Sequence, residues 1–120
     1  MNTISIKRIY EQPDKNDGYR ILIDRLWPRG IKKETAAIDE WIKDIAPSDV
    51  LRKWFGHKPE LFEEFKNRYK KELATQTSVL KRIQQIAKKQ KITLLYAAKD
   101  TEHNNAVVLY DVLNKTQIKT

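Results

Sequence analysis

The sequence predicts a single small α/β domain: a mainly parallel three-stranded sheet packed with about five helices. Two apolar runs, one centred on Ile21-Leu22-Ile23 and the other spanning Ile92–Ala98, show no alternation, as expected of strands buried on both faces. Between them lie amphipathic stretches at helical spacing. No linker, internal repeat or low-complexity segment divides the 120 residues, so 1–120 forms one domain. A chain of this size buries roughly two-thirds of its unfolded surface.

Taken in order, the first strand covers Ile4–Tyr10, with Ile4 and Ile6 on one face and Arg8 and Tyr10 toward its C-terminal end. The turn-rich segment Glu11–Gly18 leads to a second strand, Tyr19–Leu26. Eight residues are few for a parallel crossover, so an antiparallel hairpin stands beside the parallel arrangement. Ile38, Trp41, Ile42 and Ile45 fit one face of a helix that Pro47 ends. Ser48 then caps a short helix lined by Val50, Leu51, Trp54 and Phe55 and closed by Gly56. Pro59 opens a third helix with the stripe Phe62, Phe65, Tyr69 and Leu73; its early glutamates and late lysines suit the helix dipole. Val79, Leu80, Ile83, Ile86 and Ala87 define a fourth. The strand Ile92–Ala98 follows, and a last helix begins near Asp100 or Thr101 and carries Ala106, Leu109, Tyr110 and Leu113.

Composition narrows the function classes. The longest apolar run, LLYAA, is far below the ~20 residues of a membrane span. The N-terminal stretch has no signal-peptide core. The absence of cysteine removes disulfides, thiolate nucleophiles and zinc–thiolate sites. Two distant histidines offer no metal site, and no phosphate-binding glycine loop is present, so neither a metal nor a cofactor is expected. These features favour a cytoplasmic protein. The formal charge is +8, and it is uneven. Residues 66–91 hold nine basic side chains against the carboxylate of Glu72, whereas five of the seven arginines lie at or before position 52. Lysine is a solvated point charge and arginine a planar fork for carboxylate or phosphate, so the arginines are the candidates for specific contacts.

The segment Tyr19–Gly30, YRILIDRLWPRG, focuses these candidates. A buried strand delivers Asp24, Arg25, Trp27 and Arg29 to its C-terminal edge, where Pro28 and Gly30 stop it. That edge is where open α/β sheets bind ligands. If the strand at 92–98 is its parallel neighbour, Asp24, Arg25 and Arg29 face Lys99, Asp100, His103 and Asn104 across one crevice. Arg8, Arg25, Arg29, Arg52, Lys99 and Asn104 are then candidate anion or ligand contacts. Asp24 and His103 are the candidate catalytic pair, able to carry or orient protons. The plainer assignments are an Asp24–arginine ion pair, Trp27 in the core, and Asp100 or Thr101 as a helix cap.

The stretches DGYRILIDRLWPRG, DEWIKDIAPSDVLRKWFGH and LLYAAKDTEHNNAVVL, in this order, resemble the YeaO-like family of uncharacterised small bacterial proteins, a domain-of-unknown-function family. The resemblance runs from Ile6 through Leu113. It implies a cytoplasmic α/β domain, no established activity, and signature positions including Arg8, Asp24, Arg25, Arg29, Arg52, His57, Lys99 and His103. The broader superfamily carries a Cys-His-Arg helix start after the last strand. This chain reads His103-Asn104-Asn105 there, so cysteine chemistry does not carry over.

Three functions follow as expectations. The first is binding, with or without turnover, of a phosphorylated small molecule or nucleotide in the arginine-rich crevice. The second is nucleic-acid binding through the basic helices of residues 66–91, encouraged by a sequence pI near 9.7 but with Tyr69 the one aromatic there to stack a base. The third is a regulatory or interaction module without chemistry.

Overall fold

A computed structural model describes residues 3–115 as four parallel strands and five α-helices. The strands are β1 (Ile4–Arg8), β2 (Tyr19–Leu22), β3 (Glu40–Trp41) and β4 (Ile92–Tyr96), in the spatial order β1-β4-β2-β3. The helices are α1 (Lys33–Ala36), α2 (Asp49–Phe55), α3 (Phe62–Leu73), α4 (Thr77–Lys89) and α5 (Asn105–Lys115). Among the described residues, no helix is long and apolar enough to cross a membrane.

Strand β4 is central. It pairs with β1 from Ile4↔Ile92 to Arg8↔Tyr96 and with β2 from Tyr19↔Ile92 to Leu22↔Leu95. Both neighbours are parallel to it, so the hairpin alternative for the first two strands is wrong. The ten residues after Arg8 return the chain to the other end of the sheet and past β4. A short connection suffices because it crosses as a loop lying on the sheet, where its Asp17 carbonyl accepts from Thr93 Oγ1 of β4 (2.6 Å).

The alternation of side chains explains why β2 and β4 read as unbroken apolar runs. Ile4, Ile21, Ile92, Leu94 and Tyr96 join the main core beneath the helices, with Phe55, Phe65, Tyr69, Leu80, Ile83 and Leu109. Leu22 and Leu95 face the other way, into a smaller cluster with Ile9 that Trp27, Ile31, Ile38 and Trp41 cover. Helices α2–α5 seal one face of the sheet, and the 24–41 segment, which includes α1, covers the other. Phe62, Phe65 and Leu95 are buried as their patterns predict, whereas Trp41 and Trp54 are only half-buried, Trp54 lying under the Arg68 guanidinium 4.2 Å from its ring centre.

Three elements differ from expectation. The 38–45 segment is not a helix: it forms the edge strand β3 and a 3₁₀ turn, Lys43–Ile45, and supplies the fourth strand. Its spacing mimics a helix, but Trp41 belongs to the smaller cluster and Ile42 to the main core, on opposite faces of the sheet. Asp39 fixes this edge by exchanging bonds with Arg20, Oδ2 accepting from its N–H (2.9 Å) and the Asp39 N–H donating to its carbonyl (2.8 Å). Val50, assigned to the lining of α2, is 81% exposed. The last helix begins at Asn105, not at 100 or 101, because Asn104 Oδ1 accepts from the Val107 N–H (3.0 Å) as its cap. The cap of α2 is as expected: Ser48 Oγ accepts from the Leu51 N–H, and Gly56 closes the helix in the left-handed conformation.

Candidate functional site

At the C-terminal ends of β2 and β4 the chain leaves a cleft of about 690 Å³. Asp24, Arg25 and Arg29 come to it from the segment after β2, Lys99, Asp100 and Asn104 from the segment after β4, and Arg52 and His57 from α2 and its exit turn. Phe55, Phe65, Leu26 and Pro47 supply apolar wall. Four fixed cations and the titratable His57 therefore meet the two carboxylates Asp24 and Asp100 in one concavity.

Asp24 is held from several sides. Its Oδ2 accepts from the Ala97 N–H (2.9 Å) and its Oδ1 from Asn105 Nδ2 (3.0 Å), so one carboxylate ties β2 to β4 and to the start of α5. Trp41 Nε1 donates to its backbone carbonyl (2.7 Å). Burial pushes the Asp24 carboxyl above its ordinary range, and the Asn105 and Ala97 donors and the His57 charge act against that rise. Asp24 is thus an organising group at which three chain segments meet.

The arginines divide into two kinds. Arg25 donates from Nε to the Pro47 carbonyl (2.9 Å) and from a terminal nitrogen to the Ala46 carbonyl (3.3 Å), locking the entry of α2. Arg8 binds the carbonyls of Ala98 (2.8 Å) and Ala97 (3.3 Å) and does not line the cleft. Both spend much of their fork on backbone. Arg29 and Lys99 are exposed and have no ion pair among the described residues. Arg52 pairs with Asp49 (3.3 Å), while its Nε is buried without a hydrogen-bond partner, an unsatisfied donor on a residue of the cleft wall.

His103 does not line the cleft. Its Nδ1 lies 2.9 Å from Asp100 Oδ2 and its ring packs edge-on against Phe62. Asp100 also accepts from the N–H groups of Glu102 and His103, and these bonds hold its carboxyl below the usual value. Asp24 and His103, the proposed catalytic pair, therefore sit in separate hydrogen-bond networks. Asn104 is buried as the cap of α5 and lines the cleft. Among the described residues, no group of three or more His, Asp or Glu side chains is placed to hold a metal ion.

Three contributors escaped the sequence reading of the site. Asn105 is a direct partner of Asp24, signalled only by its place beside Asn104. Tyr10 lines the cleft from beyond the end of β1, its hydroxyl donating to the Arg29 carbonyl (2.8 Å). Leu26, 55% exposed, forms part of the same wall, where an apolar strand residue gave no hint of exposure.

A family model described as the inactive DUF488-N3 subclade matches residues 3–120. The uncharacterized protein YeaO of Escherichia coli K12 is 52% identical over 110 residues, covering 92% of this chain and 96% of that protein. Uncharacterized proteins of Mycobacterium bovis and of Mycobacterium tuberculosis H37Rv are each 38% identical over 111 residues, covering 92% of this chain and 93% of theirs. No solved structure gives a significant match.

Proposed function

Because the chain belongs to the inactive DUF488-N3 subclade, we propose that it binds a phosphate-bearing small molecule or nucleotide in this cleft without transforming it. The observation that carries this function is the surplus of cations in the concavity, with Arg29 and Lys99 unclaimed by any carboxylate among the described residues. Guanidinium and ammonium groups free of internal partners are the donors that a phosphate recruits. The description of the subclade as inactive and the absence of cysteine both favour binding over turnover. So does the engagement of both Asp24 oxygens in structural bonds.

Nucleic-acid docking through residues 66–91 has less support. Arg82 pairs with Glu40, Lys66 with Glu63 (3.0 Å) and Arg68 with Glu64 (2.9 Å). These acids lie outside the segment in sequence, so a count along the chain overstates the field there.

Calorimetric titration with ribose 5-phosphate tests the proposal. The double variant Arg29→Ala/Lys99→Ala is expected to weaken binding by roughly tenfold or more, since each lost charge-assisted contact contributes about 1–3 kcal/mol. Lys70→Ala/Lys71→Ala is expected to leave it unchanged. Equal loss in both variants would mean that net charge, not the cleft, governs binding.

A further inference from the structure

The cleft is asymmetric: its cations lie beside an aromatic ring fixed in place. Tyr10 is 44% exposed, among the few large apolar side chains left open, and it lines the same cleft as Arg29 and Lys99. Its hydroxyl is tied to the Arg29 carbonyl at 2.8 Å, and the Arg8 guanidinium lies over its ring, 5.0 Å from the centre. Arg8 is itself held by the Ala97 and Ala98 carbonyls, so the ring is anchored at its tip and backed on one face. Leu26 adds exposed apolar surface to the same cleft. A sugar phosphate has no flat apolar group to use such a ring, whereas a nucleobase has one.

We propose that Tyr10 is a stacking platform for a nucleobase, so the ligand class is a nucleoside phosphate with its phosphate toward Arg29 and Lys99. This inference rests on the anion-binding function proposed above and narrows it. The guanidinium behind the ring supports stacking on the open face, and immobilisation of the ring lowers the entropy lost on binding. Since every base has a π-face, the platform gives a preference for nucleotides over sugar phosphates and little choice among bases.

The test compares adenosine monophosphate with ribose 5-phosphate on the wild-type protein, Tyr10→Ala and Tyr10→Phe. The wild type is expected to bind the nucleotide roughly tenfold or more tightly than the sugar phosphate. Tyr10→Ala is expected to bring that ratio close to one, the nucleotide losing more than the sugar phosphate, because any loss from releasing the Arg29 carbonyl is common to both ligands. Tyr10→Phe, which keeps the ring, is expected to retain the preference. Equal wild-type affinities, or a ratio that survives Tyr10→Ala, would overturn the stacking role and leave the anion cleft standing. Failure of both ligands to bind the wild type would overturn the two together.

Discussion

Asp17→Ala is expected to destabilise the protein by about 3–5 kcal/mol, read as a fall in the urea midpoint at constant slope. Asp17 is a buried residue of the loop that carries the chain over β4, and it pairs with Lys7 (3.1 Å) and with Arg20. Arg20, 4% exposed, uses its remaining nitrogens on the carbonyls of Ala37 (2.7 Å) and Ala36 (3.1 Å). Removing the carboxylate leaves that guanidinium buried without its counter-charge, and this orphaned charge dominates the cost. The same loss frees the Asp14 N–H, which donates to Asp17 Oδ2. The variant also has a pH signature. Burial alone would raise the Asp17 carboxyl, but the Asp14 N–H, Lys7 and Arg20 together hold it below its ordinary 3.8. A depressed folded value means that its contribution is complete above pH ~4 and is lost as pH falls through the lower folded value. The wild type should therefore lose its advantage over Asp17→Ala only in strong acid; a constant difference down to pH ~2 would contradict the assignment.

Gly18→Ala is expected to cost a similar amount, on the order of 3–5 kcal/mol, by a steric route. Gly18 has φ 69° and ψ −136°, a region open essentially to glycine alone. A Cβ there would stand 2.3 Å from the Lys91 carbonyl oxygen, which accepts the Tyr19 N–H (2.8 Å) at the start of the β2–β4 ladder. Neither backbone can yield without breaking that bond. Gly30 provides the control: it too has a positive φ, of 79°, but open space surrounds it, so Gly30→Ala should cost only about 1 kcal/mol. Equal costs at the two positions would show that φ alone, and not the approach of Lys91, governs Gly18.

The helical half of the fold was legible because its signals are local. Ser48, Pro59 and Gly56 mark helix ends by their own chemistry, and the Phe62–Leu73 stripe needs no knowledge of its partner. The strand order was not legible. Nothing near Ile4–Arg8 or Tyr19–Leu22 says that a strand seventy residues later will lie between them. The edge strand at Glu40–Trp41 was hidden because two residues are too few to show a period, and the spacing around them matched a helix by chance. The site shows the same division. Arg25, Arg29, Asp24 and Lys99 could be placed together because parallel strands bring their C-terminal ends to one edge. Which guanidiniums stay available could not be read, because the carbonyls of Ala46, Pro47, Ala97 and Ala98 that hold Arg25 and Arg8 are invisible as side-chain chemistry. His103 was misplaced for a similar reason: a late helix start turns it onto Phe62.

Whether the cleft at the C-terminal ends of β2 and β4 receives the ligand is read from backbone amide shifts of the ¹⁵N-labelled protein titrated with adenosine monophosphate. The expected result is saturable shifts centred on the cleft, at residues 8–11, 24–30, 52–57 and 97–105, with the amides of α4 unmoved. Shifts centred on the lysines of residues 66–91, with the cleft silent, would contradict it.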